Sequence, residues 1–127
     1  MIFGNKNSNQ PARGVQIQRV RIVPLPLPEY IRYEIDYWRN SAKNGEEIFF
    51  LKEDGFAGIK STLNFEPEDF WLFDDEVLII FYYENGDLME ERLINDPKII
   101  ENYKQLKYKL SEQALPISKF LTDFTIS

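Results

Sequence analysis

Between Glu66 and Ile94 the chain spells out three strands in succession, and no other stretch limits the fold so tightly. Glu66-Pro67-Glu68-Asp69 leads into Phe70-Trp71-Leu72-Phe73, Asp74-Asp75-Glu76 reads as an acidic turn, and Val77 to Tyr83 is an apolar run of strand length. Asn85-Gly86 then joins that run to Leu88–Ile94 as a hairpin. Both central residues tolerate positive φ, which a two-residue connection between right-twisted strands demands. The segment is therefore an antiparallel meander.

The flanks supply the remaining elements. Arg13 to Val23 alternates as a strand, with a phase slip between Ile17 and Val20 that implies a bulge or a late start. Pro24-Leu25-Pro26-Leu27-Pro28 interrupts regular structure until Pro28, which suits a first helical position. A helix follows to about Ala42, with Ile31, Ile35 and Trp38 on one face and Arg32 and Asp36 paired four apart, and Asn44-Gly45 stops it. Ile48-Phe49-Phe50-Leu51 reads as a strand buried on both faces. Asp54-Gly55 reads as a turn, and Phe56 to Phe65 fits a short helix, an irregular crossover or a strand equally well. Asp96-Pro97 opens a last helix striped by Ile99, Tyr103, Leu106 and Leu110, which Pro116 ends; the tail 117–127 gives no firm pattern beyond a short docked turn. The expected fold is one α/β domain over residues 13–127. Its first strands run parallel through a crossover, its later strands form the meander, and two main helices flank the mixed sheet. Residues 1–12 are polar and Asn-rich and are expected to form a flexible arm.

Composition removes whole classes of chemistry. At 127 residues with 43% hydrophobic side chains the chain can bury its own core. It contains no cysteine and no histidine, so disulfides, thiolate metal sites, Ser-His-Asp and Cys-His nucleophiles, and phosphohistidine chemistry are excluded. No apolar run reaches the ~18 residues of a membrane span, and the polar start is unlike a secretory signal, so a cytoplasmic protein without a membrane role is expected.

Charge is concentrated. From Asn64 to Asp96 there are eleven acidic residues against Arg92 alone, a net −10 in a chain whose total is −6, so the remainder sums to +4. Such a block disfavours direct nucleic-acid binding there and suits a basic partner, a divalent cation or plain solvation, of which solvation is the commonest. Asp69, Asp74 and Asp75 with Glu76 offer oxygen ligands for Mg²⁺ or Ca²⁺, but the spacing matches no calcium loop, and no metal or cofactor is expected. Acid and base carboxylates for glycoside hydrolysis would need a cleft that so small a domain seldom has. Phe70, Trp71 and Phe73 are expected in the core rather than in a ligand wall. Arg13, Arg19, Arg21, Arg32 and Arg39 form a candidate basic patch interleaved with Tyr30, Tyr33 and Tyr37, a combination that favours a protein contact at this net charge.

These residues carry a resemblance. Ala12-Arg13-Gly14-Val15 before a strand, Gly45-Glu46-Glu47-Ile48 before the next, and Asp69-Phe70-Trp71-Leu72-Phe73-Asp74 resemble an uncharacterised bacterial family with a D-F-W-L-F-D core, often encoded beside helix-turn-helix regulators, over about residues 12–121. Members usually carry an extra helical segment in front, which is not expected in this chain. The layout is also similar to one half of a phospholipase D superfamily domain, whose motif is His-x-Lys-x-x-x-x-Asp. With Asp74 placed at its last position, Pro67 falls on the histidine and Asp69 on the lysine. Proline cannot attack phosphorus, and aspartate repels the phosphate that lysine attracts.

The expectation is a non-catalytic domain, regulatory or defence-related, that binds a protein partner such as a helix-turn-helix regulator. Tyr30, Tyr33, Tyr37 and Trp38 are the expected contacts, and Pro67, Asp69, Asp74 and Asp75 the remnant site. The alternatives are an acidic, phage-like inhibitor that mimics nucleic acid, and a small-molecule sensor using the degenerate cleft. A homodimer through the exposed hairpin edge is compatible with all three.

Overall fold

The computed structural model describes residues 1–6, 15–42 and 46–123 of the chain. It is a single α/β domain with a seven-stranded mixed sheet. The elements are β1 (Ile2–Lys6), β2 (Val15–Val23), α1 (Glu29–Ala42), β3 (Glu46–Lys52), α2 (Glu53–Ser61), β4 (Asp69–Phe73), β5 (Val77–Glu84), β6 (Asp87–Ile94), α3 (Pro97–Gln113), β7 (Leu115–Pro116) and α4 (Ile117–Asp123). The sheet order is β6-β5-β4-β1-β2-β3-β7.

β2 and β3 run parallel and β4, β5 and β6 form the antiparallel meander, as the sequence implies. Asn85 at φ 53° and Gly86 at φ 86° close the β5–β6 hairpin in the left-handed conformations that a primed turn requires. α3 begins where Asp96 accepts a hydrogen bond from the Lys98 amide at 2.9 Å, with Pro97 in its first turn, and it buries Tyr103, Leu106 and Leu110. In α1 the Pro28 carbonyl accepts from the amides of Ile31 and Arg32, so this proline sits just outside the helix rather than at its first position.

Three further expectations are corrected. The opening residues are not a flexible arm: Ile2–Lys6 is a strand in the middle of the sheet, antiparallel to β2 and parallel to β4, and Phe3 is 1% exposed. Residues 7–14 of the expected arm, and the Asn44-Gly45 stop, lie outside the described residues. β2 needs no bulge, because its register runs unbroken against β1 and β3. The apparent slip arises because its two faces meet different surroundings: Val20 joins the core under α2 and α3, whereas Arg19 on the other face bridges to Glu46. Asp54-Gly55 is no turn but the first turn of α2, where acidic side chains favour the helix N-terminus. A Cβ at Gly55 would stand 2.9 Å from Leu51 Cδ1, so the glycine lets α2 lie close on β3.

Two cores flank the sheet. Beneath α2 and α3, Phe3, Val20, Leu51, Phe70, Leu72, Leu78 and Ile80 form one cluster that reaches from β1 to β5. Beneath α1 and α4, Val23, Ile48, Phe50, Ile31, Ile35 and Phe120 form the other, with the Phe50 and Phe120 rings edge-on at 5.4 Å. The second cluster contains residues of β2 and β3 and none of β1, β4, β5 or β6 among the described residues. One face of the sheet is thus covered from β3 to β5, and the other only at the β2–β3–β7 end, while β6 is exposed on both faces up to Ile94.

Replacing Phe3 by alanine should lower the unfolding free energy by ~3–5 kcal/mol, the cost of emptying a fully buried aromatic site. Urea denaturation checks it; an unchanged midpoint would return residues 1–6 to the status of an arm.

Candidate functional site

Strand alternation decides what the bare half of the sheet displays. In β4, Phe70 and Leu72 point to the covered face and are fully buried, so Asp69, Trp71 and Phe73 point the other way. The register then builds a cross-strand row of Arg19, Ile2, Trp71, Ile79 and Leu93 over five strands, in which Ile2, like Phe81 on the same face, is buried by its neighbours and Ile79 is half-buried. Trp71 is 38% exposed and Leu93 72% exposed. Val77, Tyr83 and Leu88 add further exposed apolar surface on the same face. The expectation that Trp71 belongs to the core is therefore corrected: Phe70 is core, Trp71 is surface, and Phe73 is half-buried. The strict period of two within Asp69–Phe73 was the signal for this.

At one end of the bare face lies a shallow depression of about 220 Å³, lined by Ile2, Arg19, Asp69, Trp71, Phe81 and Tyr83 with Met1 and Leu88. Trp71 leans on Phe81 with ring centroids 5.1 Å apart. The Asp69 carboxylate accepts the Phe70 amide at 3.0 Å and lies 3.0 Å from the amino group of Met1. Burial pushes that amine below its ordinary value, against the pull of the carboxylate. Partial desolvation, then the negative charge of Asp69 and a hydrogen bond to it, push the Tyr83 hydroxyl upward. Arg19, at the border with the covered half, is held by Glu46 at 2.6 Å.

The segment before β4 is fixed from the opposite face. The Glu68 amide donates to the Tyr103 hydroxyl at 3.1 Å, and the Tyr103 ring stands edge-on to Phe70 at 4.8 Å and against Phe65 at 5.3 Å. Burial raises the Tyr103 pKa.

The four remnant-site residues do not form one site. Pro67 and Asp69 lie at the start of β4, and Asp74 and Asp75 lie beyond its end, roughly 15 Å away at about 3.3 Å per residue. Asp74 at φ 53° and Asp75 at φ 55° form the tight β4–β5 turn, in which the Glu76 amide donates to the Phe73 carbonyl. Aspartate tolerates that left-handed conformation better than most residues. The Asp74 amide donates to the Gly4 carbonyl at 2.7 Å, tying the turn to β1. Asp75 accepts from Lys107 Nζ at 2.8 Å, and Lys107 is the one buried charged residue among those described. The acidic turn is thus consumed by structure.

On α1 the expected contacts Tyr30, Tyr33 and Tyr37 do come together on the outward face, at 55%, 75% and 69% exposure. The Trp38 side chain lies outside the described ones, as do Arg13 and the Arg39 side chain, so the basic patch is described only at Arg19, Arg21 and Arg32. The acidic block is dispersed over both ends of the meander and along β6. Glu66, Asp69, Asp75 and Glu90 each have a cationic neighbour, in Lys60, the Met1 amine, Lys107 and Arg92. Among the described residues no three carboxylates come together as a metal site, and no helix is long and apolar enough to cross a membrane.

The sequence profile of the family described as Domain of unknown function (DUF6879) matches residues 4–122. No curated protein and no solved structure matches the chain.

Replacing Asp75 by asparagine leaves Lys107 without its counter-charge. It should cost about 1–3 kcal/mol of stability, less than a fully buried pair because Asp75 is partly exposed. Chemical denaturation of this variant checks the structural role; a neutral or stabilising effect would contradict it.

Proposed function

We propose that this chain, which belongs to the DUF6879 family, is a non-catalytic interaction domain that binds a protein through the open half of its sheet. The observation that carries the reading is the bare face itself. A tryptophan, a tyrosine and several aliphatic side chains stand exposed on one face of the sheet, flanked by the carboxylates of Asp69 and Glu91. Aromatic anchors of that kind dominate the energy of protein interfaces. The outward tyrosines of α1 offer a second aromatic surface that loses little conformational entropy on contact.

The absence of histidine and cysteine supports the non-catalytic part of the reading, as does the engagement of Asp75 by Lys107. A mixed sheet with helices on both faces is also what a degenerate half of a phospholipase D domain would keep. In such a domain, Pro67 and Asp69 would occupy the positions of the lost histidine and lysine. The family resemblance points to a regulatory or defence-related role with a helix-turn-helix regulator as one partner, and the cysteine-free composition suits the cytoplasm.

Site-specific incorporation of a benzophenone amino acid tests this in cells of the source organism. Position 71 should give a discrete adduct with another polypeptide, position 33 a second one if α1 takes part, and the exposed Glu101 position on α3 none. Adducts of equal yield at all three positions, or none at 71 and 33, would refute the reading.

A further inference from the structure

If the open half of the sheet binds a protein, its shape and charge select the partner. β1, β4, β5 and β6 lie side by side at about 4.8 Å spacing, so the bare face is roughly 15 Å across. Along the strands its apolar positions run from Val77 to Tyr83, roughly 20 Å at about 3.3 Å per residue. One helix of ~10 Å diameter fits that width, and about 13 residues at 1.5 Å each span that length. The other half of the same face is filled in this way already: α1, with 14 residues, lays Ile31 and Ile35 over β2 and β3. A partner strand would have to add at the β6 edge. There the register shift opposite Tyr82 and Tyr83, and the consecutive charges Glu90-Glu91-Arg92, oppose pairing.

Charge narrows the choice. On this face of β4, β5 and β6 the register sets Asp69 and Glu91 in one row on either side of Phe81, and it places no lysine or arginine there. Asp69 already accepts an ammonium, the Met1 amine at 3.0 Å, and its side chain is still 38% exposed. The surrounding segment from Asn64 to Asp96 is strongly acidic, which would speed the approach of a cationic partner.

From this geometry we infer that the open half of the sheet seats an amphipathic helix of a partner protein, about 13 residues long. Its apolar stripe, at i, i+3, i+4 and i+7, runs along β5 over Val77, Ile79 and Tyr83, between Trp71 on β4 and Leu93 on β6, and lysine or arginine on its two flanks faces Asp69 on one side and Glu91 on the other. The inference rests on the reading of this face as a binding surface and adds the secondary structure and charge of the partner.

The test is a fluorescence titration of the full chain carrying Trp38→Phe, so that Trp71 is the reporter. The probes are a ~14-residue leucine–lysine peptide patterned as an amphipathic helix, its scrambled isomer, and a leucine–glutamate peptide of the first pattern. The patterned leucine–lysine peptide should shift Trp71 emission to the blue with saturation. The other two should bind at least about tenfold more weakly. Glu91→Lys should weaken binding and flatten its salt dependence, Trp71→Ala should weaken it in an anisotropy assay, and Glu101→Ala on α3 should leave it unchanged. Circular dichroism confirms that each variant is folded. Equal binding of the scrambled isomer, or indifference to Glu91→Lys, would overturn the inference. A Trp71 shift produced best by the leucine–glutamate peptide would overturn the basic helix and leave the binding face standing. A blue shift that grows with protein concentration alone, with dimers in sedimentation equilibrium, would assign the face to a second copy instead. Silence from every peptide overturns the inference, whereas the underlying reading falls with the crosslinking result in cells.

Discussion

β1 is hydrogen-bonded along both edges, to β2 running against it and to β4 running with it, and those two seams make one sheet out of two. On one side of β1 stand β2, β3 and β7; on the other stands the meander β4-β5-β6. Among the described residues, no other strand pairs across that division. Phe3 fastens the seam on its covered face, packing against Phe70 at 5.6 Å, while the Gly4 carbonyl receives the Asp74 amide at the strand's end. Buried backbone groups in a central strand must find partners on both sides, so removing β1 would leave two rows of donors and acceptors unpaired. The two units would then share only the helices that lie over them.

The same seam explains why the two faces differ. α2 and α3 cross it, so their cluster unites β1 through β5 around Phe70, Leu72 and Tyr103. α1 and α4 stay on the far side, and the strand alternation that buries Phe70 and Leu72 must then present Trp71 to solvent. An exposed tryptophan here is a consequence of sheet geometry and helix placement together. It is also the feature on which a binding role rests, because the acidic turn that looked like the chemical centre is committed to left-handed backbone and to Lys107.

Local chemistry made much of this legible from sequence. Asn85-Gly86 and Asp96-Pro97 act on their immediate neighbours, and the hairpin and the start of α3 are found where those pairs put them. The continuous run Ile48–Leu51 correctly marked a strand covered on both faces, since it touches both cores. β1 was hidden because only Ile2 and Phe3 are apolar in a polar stretch, and its place is set by partners about seventeen and seventy residues away. Asp54-Gly55 misled because residues that favour turns also open helices, and the need for glycine lies in Leu51 across the packing contact. The candidate site was only half legible. The outward tyrosines of α1 follow from helical spacing, whereas the openness above Trp71 depends on where α1 stops covering the sheet, which no local pattern encodes.

Amide hydrogen exchange across the sheet tests the central role of the first strand most directly. The seam requires the amides of Phe3 and Gly4 that bond to neighbouring strands to exchange only through global unfolding, with the same opening free energy as those of Leu72 and Ile80 in the core, while the outward amides of β6 exchange far sooner. Exchange of the Phe3 and Gly4 amides at the rate of an unprotected chain, with β4 and β5 still protected, would contradict it.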